Sequence, residues 1–150
     1  MRAFQIELLD DKDKELLCSF VKEIDQDFTP PISQNYDIVK FVDKATTLGN
    51  VFVVKDNCKI EAALVCYSND IVNRKGYISF VGVSKKLRNQ GLAKILINKA
   101  LEIMNKNQMV KVGIHTNNPT ASALYVKCGF KIIQSDSHNI YNRQYLELAL

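Results

Sequence analysis

The sequence predicts a single α/β domain in which a mixed central sheet of about seven strands is flanked by about four helices. Three observations lead to this prediction. The length of 150 residues is typical of one domain, so we expect one domain over residues 1–150. Apolar residues alternate in some segments, as in strands, and recur every three or four residues in others, as in helices. These segments follow the order β-α-α-β-β-β-α-β-α-β-β.

The composition is that of an ordinary globular protein. Hydrophobic residues make up 47% and charged residues 24%, which excludes disordered and low-complexity classes. No apolar run approaches the ~20 residues needed to cross a bilayer, and residues 1–7 are too polar for a signal peptide, so we expect no membrane partner. The cysteines form no C-x-x-C pair and lie among apolar residues. They predict reduced core thiols and a cytoplasmic protein.

Strand segments are recognised by alternating or continuous apolar residues of high β-propensity. They are predicted over residues 4–8, 51–55, 59–67, 77–83, 109–116, 130–133 and 143–150. Asp56-Asn57 joins the second and third segments into a hairpin, and a polar connection over 68–76 follows. A helical segment separates 77–83 from 109–116, and such a crossover favours a parallel pair of these two strands.

Helix boundaries are predicted from capping residues, prolines and glycines. Helices are expected to begin near the acids at 10–13, Ser33, Gly91 and Asn118, and to end near Pro30-Pro31, Gly49 and Gly129. Asn118 can accept backbone N–H bonds, and Pro119 presets φ at the first helical position. The buried face of the third helix is expected to comprise Leu92, Ile95, Leu96, Ala100, Leu101 and Met104.

Charge is distributed unevenly along the chain. The formal net charge of +4 is too small to indicate a nucleic-acid partner. The first 75 residues nevertheless carry −3, and the last 75 carry +7. A basic group with no acid among its members comprises Lys85, Lys86, Arg88, Lys94 and Lys99. This group indicates either an anion site or a solvated basic helix face.

Residues 77–94 place a buried strand, a short basic loop and a helix N-terminus in succession. The first turn of a helix has unpaired N–H groups and the positive end of the helix dipole, which together bind phosphate. Gly91 and Ala93 lack bulk, and Arg88 and Lys94 add charge. The alternative interpretation is a close helix–sheet contact that needs small residues. Neither G-x-G-x-x-G nor a Walker A loop is present, so dinucleotide and P-loop functions lack their motifs.

A second group of residues lies further along the chain. Asn118 and Tyr125 are seven residues apart, about two helical turns, and therefore share a face. Ala121 lies between them on roughly that face, which leaves room for a thin ligand. The alternative interpretation is a simple N-cap for Asn118 and a core aromatic for Tyr125.

Together these two segments resemble the GNAT superfamily of acetyl-CoA-dependent acetyltransferases. The family's phosphate loop follows a Val-x-Val strand end and reads Gln/Arg-x-x-Gly-x-Gly/Ala; here Val81-Gly82-Val83 precedes Arg88-Asn89-Gln90-Gly91-Leu92-Ala93. The later signature, Asn-x-x-Ala-x-x-Leu-Tyr-x-x-x-Gly-Phe, is matched by Asn118, Ala121, Leu124, Tyr125, Gly129 and Phe130. The resemblance covers nearly the whole chain. It implies an N-acetyltransferase that moves the acetyl group of acetyl-CoA to a primary amine by direct attack.

The resemblance implies a role for each matched residue. It implies that Val81, Gly82 and Val83 offer backbone groups to the pantetheine arm, and that an N–H near Val81 stabilises the oxyanion. The residues implied around the pyrophosphate are Arg88, Asn89, Gln90, Gly91, Leu92, Ala93 and Lys94. Asn118 is implied to touch the cofactor near its thiol, and Tyr125 to protonate the departing thiolate as general acid. Acetyl-CoA is thus the implied cosubstrate, and no metal is implied.

The sequence departs from the family pattern at the general base. Two strand positions that often carry a carboxylate in the family correspond to Tyr77 and Gly113, and neither is acidic. Deprotonation of the acceptor therefore has to use water, a tyrosine, His115, or an acid from the N-terminal half such as Glu61 or Asp27.

The acceptor pocket is implied in the connection over residues 25–37. Its three acids suit a cationic amine but equally suit a solvated loop, so a small molecule and a peptide amine both stay open as acceptors. A second hypothesis is an acyl-CoA sensing module that has lost turnover, and a third is an unrelated phosphate-binding α/β protein. We expect a monomer or a homodimer.

Overall fold

The computed structural model describes residues 4–136 and 142–150, so residues 1–3 of the polar start lie outside the described part. The described residues form one seven-stranded sheet with five α-helices. The strands are β1 Glu7–Leu8, β2 Asn50–Asp56, β3 Lys59–Asp70, β4 Lys75–Val83, β5 Lys111–Thr116, β6 Lys131–Asp136 and β7 Arg143–Ala149. The helices are α1 Lys14–Ile24, α2 Ile32–Asn35, α3 Ile38–Leu48, α4 Leu92–Lys106 and α5 Pro119–Lys127.

The order of strands in the sheet is β1-β2-β3-β4-β5-β7-β6. β4 and β5 form a parallel pair, whereas the other neighbours are antiparallel. The predicted class of fold is therefore confirmed, as is the parallel pair that the crossover through α4 favours. β4 begins before its predicted start and β3 ends after its predicted end, so the polar connection between them shrinks to residues 71–74.

The sheet separates two apolar layers. On one face, α4 and α5 pack on a cluster that includes Leu64, Ile78 and Leu146. On the other face, α1 and α3 pack on a cluster that includes Val65 and Phe80. Residues of the central strands β3 and β4 contribute to both clusters, so these two strands are held from both sides.

Three predictions about helices and cysteines are corrected by the structure. The second helix is interrupted at Tyr36, and Asp37 rather than Ser33 caps α3 by accepting a hydrogen bond from Lys40 N. On α4, Ile97 is fully buried whereas Ile95 is 41% exposed. All four cysteines are free, but Cys58 is exposed because it occupies the tip of the β2–β3 hairpin in a left-handed conformation.

The predicted helix boundaries near the carboxyl ends of β4 and β5 are confirmed. Gly91 precedes α4 with φ of 78°, and Gly129 follows α5 with φ of 107°, the left-handed region that glycine adopts without strain. Asn118 caps α5, with Pro119 in the first turn. Both helices thus begin at the same end of the sheet, beside the carboxyl ends of parallel strands.

Candidate active site

A gap opens between β4 and β5 towards their carboxyl ends. Their described pairing runs from Lys75 opposite Lys111 to Ile78 opposite Ile114, while β4 continues to Val83. An extra residue at Ser79 accompanies the end of this pairing, because Val65 of β3 faces Phe80 but Cys66 faces Ile78. Such a bulge bends a strand. β4 therefore leaves β5 and presents one free edge beyond Ile78.

The free edge of β4 offers backbone groups to the gap. Residues in an antiparallel ladder alternate between those that bond the partner strand and those that point away from it. Ser84 N donates to Glu61 O at 2.8 Å, so by alternation Gly82 bonds β3, and the N–H and C=O groups of Val81 and Val83 point towards the gap. Within the expected Val81–Val83 set, Gly82 instead makes room for α1, because a Cβ there would lie 2.5 Å from Ile24 Cδ1.

The turn between β4 and α4 is shaped to receive an anion. Asn89 and Gly91 both adopt a left-handed backbone, and a Cβ added to Gly91 would meet no atom within 4 Å. The first N–H groups of α4 have no partner within the helix. Leu92 is 1% exposed, so its side chain belongs to the core and only its backbone faces the turn. Gln90 and Lys94 are exposed, and Ala93 is half-buried.

Acids from other elements pair with most of the basic group. Arg88 Nη2 lies 2.7 Å from Asp27 Oδ2, and Arg88 Nε donates to Val83 O at 3.0 Å. The other ion pairs are Lys85 with Asp27, Lys86 with Glu61 and Asp56, and, within α4 itself, Lys99 with Glu102. The prediction from sequence considered only acids within the basic group. In the structure, four of the five cations of this group have acidic partners.

Helix α5 closes the other side of the gap. The Oδ1 atom of Asn118 accepts hydrogen bonds from Thr120 N at 2.8 Å and from Ala121 N at 3.3 Å, which leaves its amide NH₂ for a ligand. Tyr125 is 7% exposed and packs near Phe130 with ring centroids 6.1 Å apart. Burial raises the pKa of Tyr125 to about 12. Its phenol therefore keeps its proton at neutral pH, and both predicted interpretations of Tyr125 are compatible with this position.

Tyr77 and His115 form a hydrogen-bonded pair where β4 and β5 separate. Tyr77 Oη lies 2.6 Å from His115 Nδ1. Burial raises the pKa of Tyr77, while burial and the nearby Arg143 and Lys75 lower the pKa of His115. These directions favour a neutral imidazole whose Nδ1 accepts the tyrosine proton. Tyr77 therefore donates to His115 while both groups are neutral, and the Tyr77 oxygen can still accept a hydrogen bond from the side of the gap.

A second aromatic side chain, which the sequence did not single out, supports this pair. Tyr145 faces His115 across the β5–β7 ladder, with ring centroids 4.7 Å apart. Its hydroxyl donates to Glu147 Oε2 at 2.8 Å, and Lys75 lies 3.4 Å from the same oxygen. A Cβ added to Gly113 would lie 2.4 Å from the Tyr145 hydroxyl, so glycine at this position makes room for the ring. Only the register of β7 could have revealed this arrangement.

The connection between α1 and α2 lies across the end of the gap. Phe28 packs on Phe80 of β4 with ring centroids 5.5 Å apart, and Asn117, after β5, donates a side-chain hydrogen bond to Thr29 O. Asp25 accepts hydrogen bonds from the backbone and hydroxyl of Ser33. The predicted acceptor connection is thus attached to both strands that border the gap, through contacts that sequence spacing did not indicate.

Glu61, a weaker candidate for the base, lies elsewhere. It is 1% exposed and lines a cavity of about 360 Å³ on the α1 side of the sheet, together with Glu23, Ser84 and Lys86. Lys86 Nζ lies 3.3 Å from its Oε1. Neither Tyr77 nor His115 lines this cavity.

Neither a metal cluster nor a membrane-spanning helix is found among the described residues. They contain no group of three or more His, Cys, Asp or Glu side chains that could hold a metal ion. No helix within 4–136 or 142–150 is long and apolar enough to cross a membrane.

Comparisons with known proteins identify related sequences. The model of the acetyltransferase (GNAT) family matches residues 16–130. A curated chloroplastic protein of Arabidopsis thaliana, GCN5-related N-acetyltransferase 6, is 38% identical over 80 residues. That match covers 51% of this chain and 28% of the plant protein, so the matched segment spans little more than a quarter of the relative's length.

Solved structures show the same fold at low sequence identity. An acetyltransferase of the GNAT family from Staphylococcus aureus has a TM-score of 0.79 at 17% identity, covering 99% of each chain. The PaiA N-acetyltransferase from Thermoplasma acidophilum in complex with coenzyme A has a TM-score of 0.78 at 14% identity, covering 99% of this chain and 100% of the other. The ribosomal-protein-S18-alanine N-acetyltransferase from Escherichia coli has a TM-score of 0.75 at 17% identity, covering 98% and 94%.

Proposed function

Because the chain belongs to the acetyltransferase (GNAT) family, we propose that it transfers the acetyl group of acetyl-CoA to a primary amine by direct nucleophilic attack. The observation that carries this proposal is the gap between β4 and β5. One side of it holds the free edge of β4 and the turn at Gly91, and α5 begins on the other side. Residues 1–150 are proposed to form one such domain.

The residues around the gap fit coenzyme A. Val81 and Val83 offer backbone groups that an extended pantetheine arm can bond in the manner of an added strand. The N-terminal turn of α4 offers N–H groups to a pyrophosphate, and Gly91 leaves open space for it. When bound, acetyl-CoA supplies an activated acetyl thioester. Asn89, Gln90, Ala93 and Lys94 line the same turn, and Leu92 contributes through its backbone.

We assign the chemistry to groups on both sides of the gap. The N–H of Val81 stabilises negative charge that develops on the acetyl carbonyl oxygen. The free NH₂ of Asn118 contacts the cofactor near its sulfur, and Tyr125 donates its proton to the thiolate that leaves. A raised pKa keeps the phenol protonated, as a general acid requires.

Removal of a proton from the amine is proposed to go through ordered water, with no single essential base. Tyr77 and His115 orient this water, because the hydroxyl of Tyr77 donates to the neutral imidazole of His115 and its oxygen can accept a hydrogen bond from the water. Glu61 is paired with lysines on the α1 side and takes no part.

The acceptor is proposed to be a small-molecule or peptide amine that enters beside the connection over residues 25–37. Solved neighbours include a protein named for the alanine of ribosomal protein S18 and a complex bound to Gag peptide and CoA. The second candidate is an acyl-CoA sensor, and the absence of a carboxylate at Tyr77 and Gly113 favours it. A cytoplasmic location is also proposed.

The proposed function predicts amine-dependent release of CoA thiol from acetyl-CoA. A panel of polyamines, amino sugars, aminoglycosides and peptide N-termini identifies the acceptor class. Because Cys58 is free and exposed, its thiol would add to the signal of a thiol reagent, so the assay should use the Cys58→Ser variant and a blank without amine. CoA should raise the melting temperature more than ATP or NAD does. A CoA-selective shift without release by any amine would favour the sensor, and equal shifts with all three nucleotides would contradict a CoA site.

Replacing Gly91 with Trp should abolish CoA binding in calorimetry, because the indole would occupy the open space at the turn. The matched control is Gly91→Ala, which shares the left-handed backbone strain of about 1 kcal/mol but adds little bulk. This control should retain most of the affinity. If Gly91→Trp binds CoA as wild type does, the phosphate turn is misplaced.

Removing the Tyr125 hydroxyl should lower kcat by about 10²–10⁴-fold while leaving acetyl-CoA affinity nearly unchanged, because Phe preserves the shape of the groove and lacks the proton. Steady-state kinetics and calorimetry measure the two effects separately. An unchanged kcat for Tyr125→Phe would leave Tyr125 as a core aromatic.

The rate of transfer should rise with pH towards alkaline values, following deprotonation of an acceptor amine with a pKa of about 10.4. Tyr77→Phe and His115→Ala should each cost less than tenfold, about 1.4 kcal/mol of barrier. Single-turnover rates across roughly pH 5.5–10 test this. Since the pKa of His115 is lowered from 6.5, a base role would produce an inflection below that value. Such an inflection in wild type, lost in His115→Ala, would make His115 the base.

A further inference from the structure

We propose that Asp27 sets the affinity for CoA by competing with it for Arg88, and that this competition links the cofactor turn to the acceptor connection. The inference rests on the proposed function, since it assumes that CoA binds at the turn over residues 88–94. Nothing in the family motif concerns Asp27, which lies 61 residues before Arg88.

One side chain makes both contacts that carry this inference. Arg88 Nε donates to Val83 O at 3.0 Å, and Val83 O is one of the backbone acceptors that face the gap. The same guanidinium places Nη2 2.7 Å from Asp27 Oδ2. Arg88 therefore covers Val83 O, an atom that the pantetheine arm would use. The Asp27 carboxylate holds the Arg88 guanidinium, which a phosphate of CoA would otherwise attract.

The exchange of Asp27 for a phosphate leaves no charge buried and unpaired. The side chain of Arg88 is 40% exposed and that of Asp27 is 26% exposed, so water reaches both. Lys85 Nζ lies 3.9 Å from Asp27 Oδ1 and stays as a partner when Arg88 leaves. Partly exposed ion pairs contribute modestly to stability. Asp27 is thus a competitor of moderate strength, one that tunes the affinity of the cofactor without blocking it.

The position of Asp27 gives the competition a consequence on the acceptor side. Asp27 is followed directly by Phe28, which packs on Phe80, and by Thr29, which accepts the hydrogen bond from Asn117. Loss of the Arg88 contact removes one of these attachments of the connection. Asp27 then keeps Lys85 as its ion-pair partner. Binding of CoA should therefore loosen the acceptor connection over residues 25–31.

The test is a double-mutant cycle on CoA binding, measured by calorimetry. Asp27→Asn should increase the affinity for CoA by about twofold to fivefold, the upper part of the range that a partly exposed ion pair covers. In an Arg88→Gln background the same change should have no effect, because the competition is gone. Glu23→Gln is the matched control: it removes an acid from the same end of α1, where Glu23 pairs with Lys59 rather than Arg88. It should change the affinity less than twofold.

Each outcome decides between specific alternatives. Wild type that binds no CoA overturns the proposed function and this inference with it. Wild type that binds CoA, with an Asp27→Asn variant that binds equally or more weakly, overturns this inference alone. An equal gain in the Arg88→Gln background also overturns it, because the effect would then be general electrostatics. Hydrogen exchange over residues 25–31 should quicken when CoA binds wild type and should not respond to CoA in Asp27→Asn.

Discussion

The early end of the β4–β5 pairing is the constraint on which the site depends. The described hydrogen-bonded ladder between these two parallel strands stops at Ile78 opposite Ile114, although β4 itself continues to Val83. The bulge at Ser79 turns β4 aside and leaves its N–H and C=O groups facing an opening instead of a neighbour. Helices that begin after these strands then place their N-terminal N–H groups at the same opening. Backbone geometry, more than any one side chain, therefore creates the proposed binding surface.

A free strand edge is ordinarily unstable and prone to unwanted pairing, so its support matters. β4 is bonded to β3 along its length and buried on both faces, by Ile78 on the α4 side and by Phe80 on the α1 side. Phe80 in turn carries Phe28 of the acceptor connection. The apolar cores that stabilise the fold thus also fix the two walls of the gap relative to each other.

Much of the fold could be predicted from local signals, whereas contacts between distant residues could not. Gly91, Asn118 and Gly129 were found because caps and left-handed turns depend on the residue itself. Ile95 was assigned to the core because spacing alone does not show where the neighbouring strands lie. The turn at Gly91 and the N-cap Asn118, one from each family motif, lie at the same end of the sheet. The pairing of Arg88 with Asp27 and the contact of Tyr77 with His115 depend on tertiary packing and on a register that no spacing encodes.

The outer strand β6 has every residue exposed, including Ile132 and Ile133. Its pairing with β7 shifts register between Ile132 and Gln134, so the strand is kinked at its middle. A foreign strand that approached this edge would find a regular row of hydrogen-bonding groups only on either side of the kink, each too short to template a growing sheet. The kink in β6 therefore helps an apolar, solvent-exposed edge strand to resist aggregation. This protection comes from the shape of the backbone, whereas many proteins protect such an edge with charged side chains.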